Sequence, residues 1–447
     1  MSRAPLWQAV HHYAGAGTAR FHTPGHSGRA GFALPSAFAG VLPCDQTEVP
    51  GLDSLYEADG VIREAEELAA RLFGAKATLF SAGGCTLCIQ TMLSLAARPG
   101  DSVAMDRRSH RTAVHACALL DLEPVWLIPE ADGRISPAGV AKLLKDRPDI
   151  RAVYLTSPDY YGRLCDIPTI SDICRRQGVP LLVDNAHGSH LAFLAPSLHP
   201  LHLGADMTAD SSHKTLPVLT GGAMLHLGRT EYIADAKSRM ALFGSTSPSY
   251  PVMASLDLAR AWLEEEGAAA FGRLEERAAH IKDVCRRVGV PTAEGRCDPV
   301  RLTLRTGAVG LSGGAAERYF REKGCQAEHA DGSHIVFILT PFHTDAELAR
   351  LAAAIQELPD RRPDSLSGTV RPDFSALPVA QRILSVRQAL FSPSEYLPTS
   401  HAAGRVAAES ACPCPPGVPV VIPGEKISQE GAQILLEAGI LQVKVVK

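Results

Sequence analysis

Residues 180–190, PLLVDNAHGSH, and 205–214, ADMTADSSHK, decide the fold. Each begins as a short apolar run and ends on polar residues: Asp184, His187 and His190 in the first, Ser211, His213 and Lys214 in the second. Apolar runs without alternation are strands buried on both faces, and an open α/β sheet holds its ligands at the carboxyl ends of such strands. Working outward, the same pattern recurs at ATLFS (77–81), DSVAM (101–105), EPVWLI (123–128), IRAVYLTSP (150–158) and GGAMLHLG (221–228). Helical stretches separate them, after residue 81, up to about 120, near 137–146 and near 168–177. The first helix is set by Ile62, Ala65, Leu68, Ala69 and Leu72 and stopped by Gly74. The pattern predicts a large α/β domain over 60–290 on a mostly parallel sheet covered on both faces.

On either side the patterning changes. Residues 1–59 are rich in Gly, Pro and His and read as an irregular arm with short structured pieces. Helices near 230–242 and 252–290 close the large domain. VRLTLRTG (300–307), HIVFILT (334–340) and the helix 345–358 then predict a smaller C-terminal α+β domain over 291–447. Four prolines in 359–380 mark a surface linker, and the tail holds one helix candidate (382–391) before the turn-rich CPCPPGVPVVIPGE (412–425). With 447 residues, 46 % apolar and 21 % charged, the chain has the composition of a multidomain globular enzyme. A formal charge of −4 gives no footprint for nucleic acid or an anionic membrane, and no signal-like or membrane-length apolar segment is present, so the expected location is the cytoplasm. The eleven scattered cysteines fit reduced thiols better than a disulfide framework, and Cys412 and Cys414 lack the spacing and second pair of a zinc site.

Four places carry chemistry. Ala82-Gly83-Gly84-Cys85-Thr86 joins a strand to a helix start, where free N–H groups and a hydroxyl suit a phosphate, although an ordinary Gly-rich turn has the same composition. Asp184, at a strand end, is placed to be buried and so needs hydrogen bonds or a cationic partner, such as a protonated pyridine nitrogen. Asp184-x-x-His187-x-x-His190 also admits a metal reading, for which nothing else in the chain asks. Lys214, between small hydroxyl residues after an apolar strand, is placed for partial burial and Schiff-base chemistry, against the plainer reading of a solvated lysine. His110 begins a helix after the next strand, either to stack on a ring or to cap. The order Gly-rich helix start, strand-end Asp, strand-end Lys favours the Schiff-base reading of Lys214 over that of a solvated lysine.

The chain resembles the Orn/Lys/Arg decarboxylases of the bacterial type, in their compact form without an N-terminal wing domain. The resemblance rests on FHTPGHSG (21–28), DQTEVPGLDSLYEADGVIREAEELAARLFGA (45–75), RRSHRTAVHA (107–116), YLTSPDYYG (154–162), VDNAHGSH (183–190), SSHKTLPVLTGGA (211–223), SVRQALF (385–391) and PPGVPVVIPGE (415–425), in that order over about residues 20–430. It implies the aspartate-aminotransferase-like fold, fold type I, and pyridoxal 5'-phosphate. It implies further that Lys214 forms the Schiff base, Asp184 pairs with the pyridine nitrogen and His110 stacks on the ring. Gly84, Cys85 and Thr86, helped by Ser211 and His213, would hold the phosphate, and His187 would approach the cofactor's phenolic oxygen or imine. A homodimer follows, with Gly25-His26 and Asp45-Thr47-Glu48 near the interface.

The implied reaction is decarboxylation of arginine, lysine or ornithine to an amine and CO₂, as in polyamine biosynthesis, with His213, His187 or Cys85 influencing protonation. Glu48, Asp45, Asp159, Glu395 and Tyr161 are the candidates for reading the far end of the substrate. Three departures bear on the reaction: Ser27 replaces a family lysine, Asn185 replaces a glutamate, and Gly-Gly-Cys replaces a Ser/Thr-rich turn. With Arg387 as a possible carboxylate clamp, they leave transamination, elimination or oxidation as the alternative, and a noncatalytic dimer as a third.

Overall fold

A computed structural model describes residues 2–29, 35–130, 132–358, 377, 379–413 and 417–447. The Pro-rich linker expected at 359–380 and Cys414 lie wholly or largely outside these residues. The chain divides into two compact units, residues 1–96 with 181–270 and residues 97–180 with 271–447.

Seven strands form the main sheet: β1 (Ala77–Ser81), β2 (Ser102–Asp106), β3 (Glu123–Leu127), β4 (Ile150–Thr156), β5 (Leu181–Asp184), β6 (Met207–Asp210) and β7 (Ala223–Leu227). Their order is β1-β7-β6-β5-β4-β2-β3. β5 runs parallel to β6, and β2 parallel to both β3 and β4, whereas β7 is antiparallel to β1 and β6. This is the mostly parallel α/β sheet that the uninterrupted apolar runs predict. In the first unit Leu79, Phe80, Leu182, Val183, Met207, Met224 and Leu225 are all buried. Each such side chain contributes on the order of 1.5–3 kcal/mol by leaving water.

The second unit adds a three-stranded antiparallel sheet, β8 (Arg301–Leu304), β9 (His329–Ala330) and β10 (Ile335–Ile338), with β10 in the middle. A further antiparallel pair, β11 (Ser394–Pro398) and β12 (Gln442–Val446), lies in the tail, where the sequence shows only one helix candidate. That candidate is real but shorter, Val386–Phe391, and Ser385 and Gln388 close its first turn with a capping box.

Residues 5–15 depart from the irregular arm that composition suggests: they form an 11-residue helix, Pro5–Gly15. Pro5 suits a first helical turn, and Leu6 and Val10, one turn apart, are fully buried. Its start is capped from far away, Leu6 N donating to Asp257 Oδ2 at 2.9 Å and Trp7 N at 3.3 Å. A cap some 250 residues distant leaves no mark in the local sequence.

The helix Val61–Leu72 is started in a similar way by Asp53, whose carboxylate accepts from the amides of Asp59 (3.1 Å), Gly60 (2.9 Å), Ile62 (3.0 Å) and Arg63 (3.3 Å). Burial opposes the charge on Asp53, but these backbone donors outweigh it and hold its pKa below the ordinary value. Asp53→Ala is expected to cost about 1 kcal/mol, the usual worth of a helix cap, reduced by solvent at this half-exposed site. Because the folded-state pKa is the lower one, that contribution is present above the unfolded value near 3.8 and is lost as pH falls through the folded value. Urea unfolding of parent and variant at neutral pH and below pH 3 measures both parts; a gap that widens in acid contradicts the assignment.

Candidate active site

β5 delivers Asp184 to its carboxyl end, where the side chain is 2 % exposed and Oδ1 accepts from Ala186 N at 3.1 Å. β6 ends at Asp210 and passes directly into the helical turn Ser212–Thr215, closed by Leu216 N donating to Ser212 O at 2.9 Å. That turn presents Lys214, half-buried, with Nζ 3.0 Å from His187 Nε2. Two amides tie the neighbouring pieces to one backbone segment: Gly84 N donates to Gly221 O at 2.9 Å, and His213 N to Gly222 O at 3.2 Å. Gly221 has φ +95° and Gly84 φ +70°, conformations that side chains disfavour, so glycine allows the helix start and the lysine turn to share this anchor.

Cys85 lies among these groups. Burial pushes its thiol well above the usual range, Asp184 and Cys88 push it the same way, and Ser211, by a hydrogen bond, and Lys214, by its charge, oppose them. The Gly84–Ala96 helix start, the strand-end carboxylate, Ser211 and the lysine therefore act on one point within the first unit. A thiol held protonated is a poor nucleophile. Thr86 is exposed beside it.

His110 belongs to the second unit. It caps the helix Arg111–Leu120: its Nδ1 accepts from Thr112 N at 3.2 Å and lies 2.8 Å from Thr112 Oγ1. Gly417 packs against the imidazole, since a Cβ there would fall 2.5 Å from Nε2, and Arg111 N donates to Gly417 O at 2.9 Å. In the same unit Tyr161 donates to Asp331 Oδ2 at 2.7 Å, Asp159 pairs with Arg163 at 3.4 Å, and Glu395 pairs with Arg405 at 2.9 Å. Arg387 is exposed and donates to Ala118 O at 2.9 Å, the end of the Arg111–Leu120 helix, so in this structure it caps a helix. In the first unit His26 pairs with Asp45 at 3.2 Å, Glu48 accepts from Ser54 at 3.0 Å, and Ser27 stands at φ +52°.

Sequence reasoning missed a buried polar group beside Asp184. Asp210 accepts from Asn185 Nδ2 at Oδ1 (2.9 Å) and lies 2.9 Å through Oδ2 from His199 Nε2; His226 Nε2 is 3.8 Å from the same Oδ2. All four residues are 0 % exposed. Among the described residues, His199, Asp210 and His226 are the one set of metal-capable side chains with ligand atoms within 4.8 Å of one another; the Asp184, His187 and His190 set is not. Register is what assembles them, Thr78 and Thr208 both standing opposite His226, and no single segment reveals that.

Burial pushes His226 down from 6.5 to about 4. The unfolded chain binds more protons than the folded one between these values, so stability is intact above pH 6.5 and drains away as pH falls toward 4. The expected contribution is about 3 kcal/mol across the window. His226→Asn keeps a polar atom near Thr78 Oγ1, which lies 2.8 Å from His226 Nδ1, and should flatten that part of the denaturation profile. Parent and variant profiles that remain parallel from pH 7 to 4 contradict the assignment.

The sheet order and the lysine, carboxylate and glycine-rich helix start at its strand ends define an α/β enzyme of fold type I. The major domain of the Orn/Lys/Arg decarboxylases matches residues 4–295 and their C-terminal domain residues 379–437. The chain belongs to that family and is a decarboxylase. It is similar to an uncharacterized protein, YaaO, of Bacillus subtilis, 33 % identical with 96 % of this chain and 93 % of the other covered. An arginine decarboxylase of Bacillus anthracis is 30 % identical over 98 % of this chain and 94 % of its own length. The Francisella novicida lysine decarboxylase LdcF superposes with a TM-score of 0.85 at 18 % identity, covering 99 % and 81 %.

Family and fold imply pyridoxal phosphate, and the residues fit it. A buried carboxylate suits a cationic ring nitrogen, a glycine-opened helix start suits a phosphate, and a primary amine stands beside an imidazole.

Proposed function

We propose that this chain uses pyridoxal 5'-phosphate to decarboxylate a basic L-amino acid, with arginine the first substrate to test. The observation that carries the reading is the half-buried Lys214 amine, 3.0 Å from His187 and acting on the same thiol as Asp184. Arginine comes first because the relative of that name is 30 % identical over nearly the whole chain.

Lys214, half-buried with its amine beside His187, would be the residue that holds the cofactor covalently. Asp184 keeps a proton on the ring nitrogen. Gly84, Cys85, Thr86, Ser211 and His213 hold the phosphate, through amides, hydroxyls and an imidazole. His110, which the family resemblance makes the residue that would stack on the ring, has its orientation set by Thr112 and Gly417. His187, next to Lys214, accepts and returns the amine's proton. The bound cofactor supplies an electron sink, which weakens the bonds at the substrate's α-carbon. We assign the working form to a cytoplasmic homodimer, as the family resemblance implies; sedimentation of the purified protein tests the dimer.

Purified protein loaded with pyridoxal phosphate is incubated separately with arginine, lysine and ornithine, and mass spectrometry follows amine and CO₂. Equal amounts of amine and CO₂ from one substrate support the reading and name that substrate. A keto acid without CO₂ moves the reaction to transamination.

A further inference from the structure

Asp184 and Lys214 reach their places from two neighbouring strands, and the residue just past β5, Asn185, and the last residue of β6, Asp210, belong to a different set of contacts. Successive strand residues point to opposite faces, so Asn185 turns away from the face that Asp184 takes. There it meets Asp210, the last residue of β6, and Asn185 N donates to Ala209 O at 2.9 Å. The side-chain bond Asn185 Nδ2 to Asp210 Oδ1, 2.9 Å, thus joins the ends of β5 and β6 one residue from Asp184 and one from Ser211. His199 holds the other oxygen. Leu201 N donates to His199 Nδ1 at 3.3 Å, which assigns the proton to Nε2; that nitrogen lies 2.9 Å from Asp210 Oδ2, its acceptor, and 2.9 Å from Asn185 Nδ2. Phe73 stacks on His226 with ring centroids 4.4 Å apart and closes the group from water.

We propose that Asp210 is a positioning residue: by taking one hydrogen bond from Asn185 and one from His199, it fixes the spacing between the strand end that carries Asp184 and the turn that carries Lys214. The proposal rests on the reading of Lys214 and Asp184 given above. It also gives a role to Asn185, one of the departures from the family pattern: in this chain the carboxylate of the contact stands on β6 and the amide just past β5. Asp210 is held ionised: burial opposes the charge, and His199, His226 and Asn185 outweigh it. Its oxygens are satisfied by proton donors, and a His199 Nε2 that carries a proton has no lone pair for a metal ion.

The test compares Asp210→Ala, Asn185→Ala and the exchange Asn185→Asp with Asp210→Asn, each checked for folding by circular dichroism. Two quantities are measured: uptake of pyridoxal phosphate by the apoprotein, followed by absorbance, and kcat and KM for the substrate that the parent turns over. A reacting group displaced by about 1 Å loses up to about a hundredfold in rate. We expect kcat to fall about tenfold or more in Asp210→Ala, with KM within about twofold and cofactor held more weakly. The exchange should bring kcat and cofactor affinity back to within about threefold of the parent, since it restores donor, acceptor and charge. Folded single variants with parental kcat and cofactor affinity overturn the proposal, as does an exchange no better than Asp210→Ala. A parent that takes up no pyridoxal phosphate overturns both this and the functional reading, whereas a parent that binds it and variants that bind it equally overturn this alone. A stoichiometric metal ion in the parent, lost in Asp210→Ala, also overturns it and makes the cluster a metal centre.

Discussion

Lys214→Ala is expected to lower amine formation by at least about 10³-fold, some 4 kcal/mol of barrier at 1.36 kcal/mol per decade. The argument is local. Lys214 is the primary amine at the end of β6, 3.0 Å from an imidazole, in a turn closed by its own hydrogen bonds. An alanine cannot attach the cofactor, and His187 keeps its place without being able to replace a primary amine. Folding should be little affected, because the turn's backbone bonds from Lys214 N to Ser211 O and Leu216 N to Ser212 O do not use the side chain. The variant should therefore unfold within about 1 kcal/mol of the parent, the net worth of one hydrogen bond. Amine production by mass spectrometry and urea unfolding separate the two effects. A folded variant retaining a tenth of the parent's rate would sink the assignment of Lys214.

The strand-by-strand reading succeeded where burial is uniform along a segment. β1 to β7 are mostly buried because the sheet is covered on both faces, with Arg151 in β4 the exposed exception, and each lies within or close to the run that announced it. Asp184 stood out for the same reason, as a carboxylate ending such a run. What stayed illegible depends on partners distant in sequence. His199 in SLHP and His226 in AMLHL look like isolated histidines, and only the register Thr78, His226, Thr208 across three strands makes His226 part of a buried group. Asn185 read as a departure of unknown consequence, and its partner Asp210 lies 25 residues on. The Pro5–Gly15 helix was hidden by the Gly and His content around it and by a cap supplied by Asp257.

The two motifs RRSHRTAVHA and PPGVPVVIPGE, about 300 residues apart, meet through a buried ion pair, and breaking it from one side should cost about 3–5 kcal/mol. Arg107 and Glu425 are each 1 % exposed at the side chain, with Arg107 Nη2 3.2 Å from Glu425 Oε2. Arg107 also donates to Pro419 O at 2.9 Å and Val420 O at 3.0 Å, and Glu425 Oε2 accepts from Ile422 N at 3.0 Å. Burial pulls Arg107 down and pushes Glu425 up, each partner's charge working against that shift. Arg107→Ala leaves a carboxylate and two carbonyls without their donor; Glu425→Ala leaves a guanidinium without its counter-charge. Arg107→Met combined with Glu425→Leu removes both charges and fills the space, so it should cost less than either single change. The same contact bears on the stacking role proposed for His110, because the segment it anchors includes Gly417, against which the His110 ring packs. Single variants should therefore lose stability and, where still folded, show a changed cofactor absorbance, while the double variant should regain most of the stability. Urea unfolding of the four proteins decides it: a double variant as unstable as the sum of the singles would show that the two residues act independently, and that the ion pair does not hold the C-terminal motif to the His110 helix.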